Sequence, residues 1–277
     1  MKKIIFIVTI LMLTFLVPAV SAQNVSKEQF AKVYSEYRDK YDQYVISHDT
    51  YVLSKKQYEQ YGTLAAKENL QKDLKNMLVS RDSVLIYYYR SLISKFDDSS
   101  ISMSSERKSD YTKVFNDEIT WLSDHLSGYS VSDSPGTLAS KSEEVDDRYQ
   151  NFQLSVYKSL FYITRGKIDA YNGRYGVLYN DLSALTEKIK NEQRDAYKLS
   201  DAKLDTINRW FGEIGANTTE YENALVLADT QMEKAVGKNS PSVYTAAVKL
   251  LEKAMTIFTD RIGKTKEIIN EIKVSEI

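Results

Sequence analysis

Between Phe30 and Tyr58 an aromatic or long side chain returns at steps of four and three residues: Phe30, Tyr34, Tyr37, Tyr41, Tyr44, His48, Tyr51, Lys55, Tyr58. Only His48 and Lys55 interrupt a series otherwise made of rings. A 4-3 spacing draws one line along a single face of an α-helix. It predicts a first helix from Lys27 to about Tyr61, roughly 50 Å long at 1.5 Å per residue. Ser26, with Gln29 three residues later, is the expected capping box.

The remaining periodicity is also helical. Ten glycines and three prolines in 277 residues are few breakers for this length. A second helix is expected over Thr63 to Phe96, with a broad apolar face from Leu70 to Leu92 that suits a central position. A third runs from about Glu106 to Leu126. Gly128 to Gly136 reads as a linker, and a fourth helix follows from about Leu138 to Tyr171, its buried side marked by Val145, Phe152, Val156 and Leu160. Asn172-Gly173 and Gly176 either break the helix there or kink a longer one, with a break expected, and Gly212 with Gly215, followed by Thr218 as a cap, offer a second break. The 11-residue step between Ala196 and Ile207 points to a stutter or bend near Ser200-Asp201. The last helix starts at a capping Ser240 with Pro241 in its first turn. Its expected seam is Tyr244, Val248, Leu251, Met255, Phe258, Ile262, Thr265, Ile269 and Ile272.

The fold expected is therefore all-α: an elongated antiparallel bundle of about six helices with coiled-coil-like seams. It divides as residues 1–22, a signal peptide; 23–130, three helices; and 131–277, three or more helices, packed as one elongated domain. Tyr61-Gly62-Thr63-Leu64 and Tyr175-Gly176-Val177-Leu178 are a faint internal echo, which chance in a tyrosine-rich chain also produces.

Lys2 and Lys3, the uncharged run Ile4 to Val17, and Val20-Ser21-Ala22 form a Sec-type export signal with cleavage after Ala22. The run falls short of the ~20 residues that a spanning helix needs. Retention as an N-terminal anchor is the alternative. Localisation is expected to be periplasmic, cell-surface or secreted. With no cysteine in the chain, disulfides, lipidated cysteine and thiolate zinc sites are excluded. Removal of Lys2 and Lys3 from 37 basic residues leaves 35 against 38 acidic, a net charge of −3. No basic face for nucleic acid follows from that balance.

Catalytic patterns are missing. His48 and His125 are the only histidines, and neither belongs to a Glu-x-x-His or His-Glu-x-x-His motif. His48, on the aromatic line, reads as a partly buried ring bonded to a neighbour. Glu143-Glu144 and Asp146-Asp147 form an acidic cluster that a helix start would favour through its dipole. Asn24-Val25-Ser26 and Asn217-Thr218-Thr219 fit the glycosylation pattern. No cofactor or metal is expected. The expected function is non-enzymatic: protein–protein contact or self-association at the cell envelope or outside the cell. The surface singled out is Tyr34, Tyr37, Tyr41, Tyr44, Tyr51 and Tyr58. The rivals are a wall-glycan module stacking sugars on those tyrosines, a hydrolase with a carboxylate pair, and a membrane-active or sensory helical protein. Packing is the preferred reading of the stripe itself, because tyrosine combines apolar area with a polar tip.

Overall fold

A computed structural model of the protein describes residues 24–192 and 198–273. The expected export signal, Gln23 and Ala196 lie outside the described residues. The described chain is all-α, a helical bundle of six α-helices and one short 3-10 turn: α1 (Asn24–Tyr61), α2 (Leu64–Phe96), α3 (Ser105–Ser127), α4 (Pro135–Lys190), α5 (Asp201–Glu233), the turn Gly237–Asn239, and α6 (Ser240–Lys273). It divides into two compact units, Met1–Ser155 and Val156–Ile277, with the division inside α4.

In the first unit α1 and α2 are joined by Gly62 and Thr63 alone. Gly62 takes φ +61, the left-handed conformation that ends a helix, and its N–H bonds to Tyr58 O at 2.9 Å. Thr63 then starts α2: its extended backbone places Oγ1 to accept from the Ala66 N–H at 3.2 Å. α2 is central, as its broad face implied, and is buried along most of its length from Met77 to Phe96. Its Tyr89 meets Phe115 of α3 (5.6 Å) and Phe152 of α4 (4.9 Å), the ring cluster at the heart of this unit. Ser104 caps α3 by accepting from the Arg107 N–H, and Ser134 caps α4 by accepting from Thr137. The segment expected as a linker is pinned: the Asp133 carboxylate takes the Ser130 N–H and Lys141, and the Asp133 carbonyl takes Gln71 Nε2 of α2.

Several expectations need correction. α1 is already helical at Asn24, so Ser26 stands inside it and does not begin it. α4 runs unbroken through Gly173 and Gly176, and α5 through Gly212, Gly215 and Thr218, whose hydroxyl donates to Ile214 O within the helix. A glycine costs a helix only about 1 kcal/mol. Ile168, Tyr175 and Leu182 on α4, and Ile207, Ile214 and Tyr221 on α5, are buried on both sides of these glycines and outweigh that cost. The bend expected near Ser200 is a full interruption, since α4 ends at Lys190 and α5 begins at Asp201. Asn217 lies inside α5.

The second unit packs the later part of α4 with α5 and α6. The buried line on α6 is Tyr244, Ala247, Leu251, Ala254, Phe258, Arg261, Thr265 and Ile268. Alternate positions thus sit one residue before the expected seam: Ala247 replaces Val248, Ala254 replaces Met255, Arg261 replaces Ile262, and Ile268 replaces Ile269. Alanine on the centre line lets the helices approach closely, and the larger Val248 and Met255 flank it. Ile262 is left exposed. Thr265 donates to Arg261 O (2.9 Å), so its one proton is spent and it accepts from the Tyr175 hydroxyl (2.8 Å). Ser240 is the first residue of α6 and donates back to Gly237 O, a role different from the N-cap expected of it.

The end of α2 carries a pH-dependent tie. Asp98 is buried, which opposes its charge, yet hydrogen bonds from Lys95 and Ser100, together with the Lys95 charge, draw its carboxyl down to about 2. A depressed folded value contributes stability above the ordinary carboxylate range, and that stability disappears as pH falls through it. Asp98→Asn is therefore expected to flatten the loss of stability between about pH 4 and 2, measured as urea midpoints across that range.

Candidate functional site

Two groupings of chemistry-bearing residues stand in the first unit. One is the tyrosine line named by the sequence. Tyr37 is 4% exposed, with its ring 5.6 Å from Tyr88 of α2. Phe30 is also buried. Tyr34, Tyr41, Tyr44, Tyr51 and Tyr58 are half-buried, and Tyr44 and Tyr51 lie against Met77, Leu78, Tyr129 and Leu138. Successive rings of the line touch: Phe30–Tyr34 at 5.7 Å, Tyr34–Tyr37 at 5.8 Å and Tyr37–Tyr41 at 6.4 Å. Burial raises the Tyr37 hydroxyl well above the usual phenol value, with a further push from Tyr34 and Tyr41. The line therefore faces α2, and the Tyr37 hydroxyl is buried with its ring. Ser54 extends the same contact, donating to Asp73 of α2. His48 sits on the line half-buried, with Nδ1 3.6 Å from Asp49 and its ring beside Tyr44.

The face of α1 opposite the line carries Ile46 and Leu53, both exposed, Ile46 by 67%; Val45 is exposed on the flank of the line. At the α1–α2 turn Tyr61 and Leu64 are exposed as well.

The second grouping was not singled out by the sequence reading. Asp82 of α2 is fully enclosed. Its Oδ1 accepts from Arg81 Nε (3.1 Å) and lies 3.0 Å from Arg81 Nη2; its Oδ2 accepts from the Tyr129 hydroxyl (3.2 Å) and faces His125 Nδ1 (2.7 Å). Arg81 Nη1 donates to Ser142 of α4 (2.8 Å). Trp121 stacks on the His125 ring at 4.9 Å, and Tyr129 meets it edge-on at 5.1 Å. Burial, then the Asp82 charge, raises the Tyr129 hydroxyl above its ordinary value. The cluster thus draws on α2, α3, the loop between α3 and α4, and α4. An enclosed imidazole oriented by a carboxylate is the arrangement of a general base, but rings shut it from any substrate.

The acids of α4 also need a new account. α4 begins at Pro135 with no acid in its first turn, so Glu143 to Asp147 lie beyond the reach of the helix dipole. Two of them face the cluster instead: Glu144 Oε2 lies 3.9 Å from His125 Nε2, and Asp146 Oδ1 lies 3.9 Å from Arg81 Nη1. A signal for this existed in the sequence. Arg81-Asp82 interrupts the apolar run Met77 to Leu92 on the most buried helix, and His125 lies one turn after Trp121. Among the described residues no three His, Asp or Glu side chains gather to hold a metal ion, and no helix is long and apolar enough to cross a membrane.

No family model, curated protein or solved structure matches the chain.

The inward tyrosine line predicts a divided mutational response. Tyr37→Ala is expected to destabilise the protein by about 3 kcal/mol or more, as a large-to-small core change, whereas Tyr61→Ala stays within about 0.5 kcal/mol. Urea unfolding of the two variants checks this; equal small effects would contradict it.

Proposed function

We propose that the protein is exported and acts without catalysis, through contacts with another protein or a second copy of itself at or outside the cell envelope. The observation that carries this reading is the division of α1 into two faces. Its aromatic line is spent on α2, while Ile46 and Leu53 remain open on the other side and the turn adds Tyr61 and Leu64. Exposed apolar groups gathered on one helix face are a common mark of association. Lys2, Lys3, the apolar run to Val17 and Val20-Ser21-Ala22 support the exported half of the reading. A glycan-binding comb would need open ring faces along Tyr34 to Tyr58; the mutual contacts of Tyr34, Tyr37 and Tyr41 and the packing of Tyr44 and Tyr51 on the core favour protein contact over it.

A photo-reactive residue at Ile46 or Leu53, activated in intact cells, is expected to trap a protein adduct, while the same residue at Asp110 of α3 traps none. If purified mature protein is strictly monomeric and neither position yields an adduct, the proposal fails.

A further inference from the structure

A carboxylate only accepts hydrogen bonds, so the contact between His125 Nδ1 and Asp82 Oδ2 at 2.7 Å places an imidazole proton on Nδ1. In the neutral ring, Nε2 is then a bare lone pair. Nε2 is enclosed without a hydrogen-bond partner, and Glu144 Oε2, 3.9 Å away, is another acceptor. Two acceptors facing each other gain nothing. A second proton on the ring converts them into a charged donor and a carboxylate, and histidine is the side chain suited to that change near neutral pH.

We propose that His125 is a proton-operated latch between α3 and α4. When charged, it bridges Asp82 of α2 and Glu144 of α4 and draws the start of α4 onto α2 and α3. When neutral, it holds only Asp82 and leaves Glu144 to solvent. The surrounding groups set the balance. From α2, Asp82 favours the second proton and Arg81 opposes it. From α4, Glu144 favours it, and Asp146 offsets Arg81 at 3.9 Å. Lys141 lies over the Tyr129 ring at 5.2 Å and is tied to Asp133, and Arg148 lies over Trp121 at 4.5 Å and is tied to Glu118. From α1, the Tyr44 hydroxyl stands in the fields of Arg81 and Asp146. The loop supplies Tyr129, whose proton is held on Asp82. The acidic run on α4 thereby acquires a role: two of its members complete the charge around a buried pair.

Trp121 makes the latch observable. An indole stacked on an imidazole is quenched when the imidazole charges, and Trp210→Phe leaves Trp121 as the single tryptophan of the chain's two. In that protein the emission is expected to fall through one transition as pH is lowered across the histidine range. Glu144→Gln should move the midpoint down by about half a pH unit, since it removes one partly screened negative charge. Glu143→Gln, the exposed neighbour, should leave the midpoint within about 0.1 unit. His125→Gln should abolish the transition, with retained helical circular dichroism confirming the fold. No transition in the parent, coincident midpoints for the parent and Glu144→Gln, or an equal shift from Glu143→Gln would each overturn the latch.

Discussion

The enclosed carboxylate of Asp82 is the constraint on which the first unit depends. An unpaired charge in an apolar interior is so costly that it must be matched by donors in one geometry. Arg81 donates from Nε and sets the charge of Nη2 3.0 Å away, Tyr129 supplies a hydroxyl and His125 a ring nitrogen. These donors come from α2 itself, from the loop and from α3, and Arg81 passes the connection on to Ser142 of α4. Apolar contacts among Tyr89, Phe115 and Phe152 hold the same helices together but tolerate sliding and rotation. The carboxylate does not. It ties a particular turn of α2 to the end of α3 and, through Tyr129, to the loop that follows, whose other end Asp133 pins to Lys141 and Gln71.

The second unit resolves a similar tension differently. Arg261 occupies the centre line of α6, and its guanidinium lies over the rings of Tyr175 (4.6 Å) and Tyr221 (5.1 Å) while donating to Asn172 (3.1 Å). Ring faces carry the negative side of an aromatic quadrupole, so they accommodate a cation where an aliphatic neighbour would not. Tyrosine at these positions also explains how Thr265 tolerates burial, since the Tyr175 hydroxyl is its partner.

How much of this was legible in the sequence depends on which physical signal each feature leaves. Helical periodicity and the scarcity of breakers conveyed the all-α class and most helix ends. Glycine was harder to read. Gly62 and Gly176 sit in near-identical contexts, yet Gly62 ends a helix and Gly176 does not. Thr63 offers a hydroxyl to cap the next helix, whereas Val177 has none, and Tyr175 next to Gly176 is held in the core. The α6 seam was read one residue late at alternate positions because the larger of two adjacent apolar residues was taken as central, when Ala247 and Ala254 are small enough to lie between helices. The Asp82 cluster leaves little signal because charged side chains ordinarily face solvent. Two adjacent charges on the apolar face between Leu78 and Val84 are its trace.

The claim that one buried carboxylate organises the first unit is most directly tested by the unfolding free energy of Asp82→Asn, read from Trp121 fluorescence in the Trp210→Phe protein. The substitution keeps the shape and removes the charge, leaving Arg81 buried without its partner. A loss of about 3 kcal/mol or more is predicted. A change below about 1 kcal/mol would contradict the account.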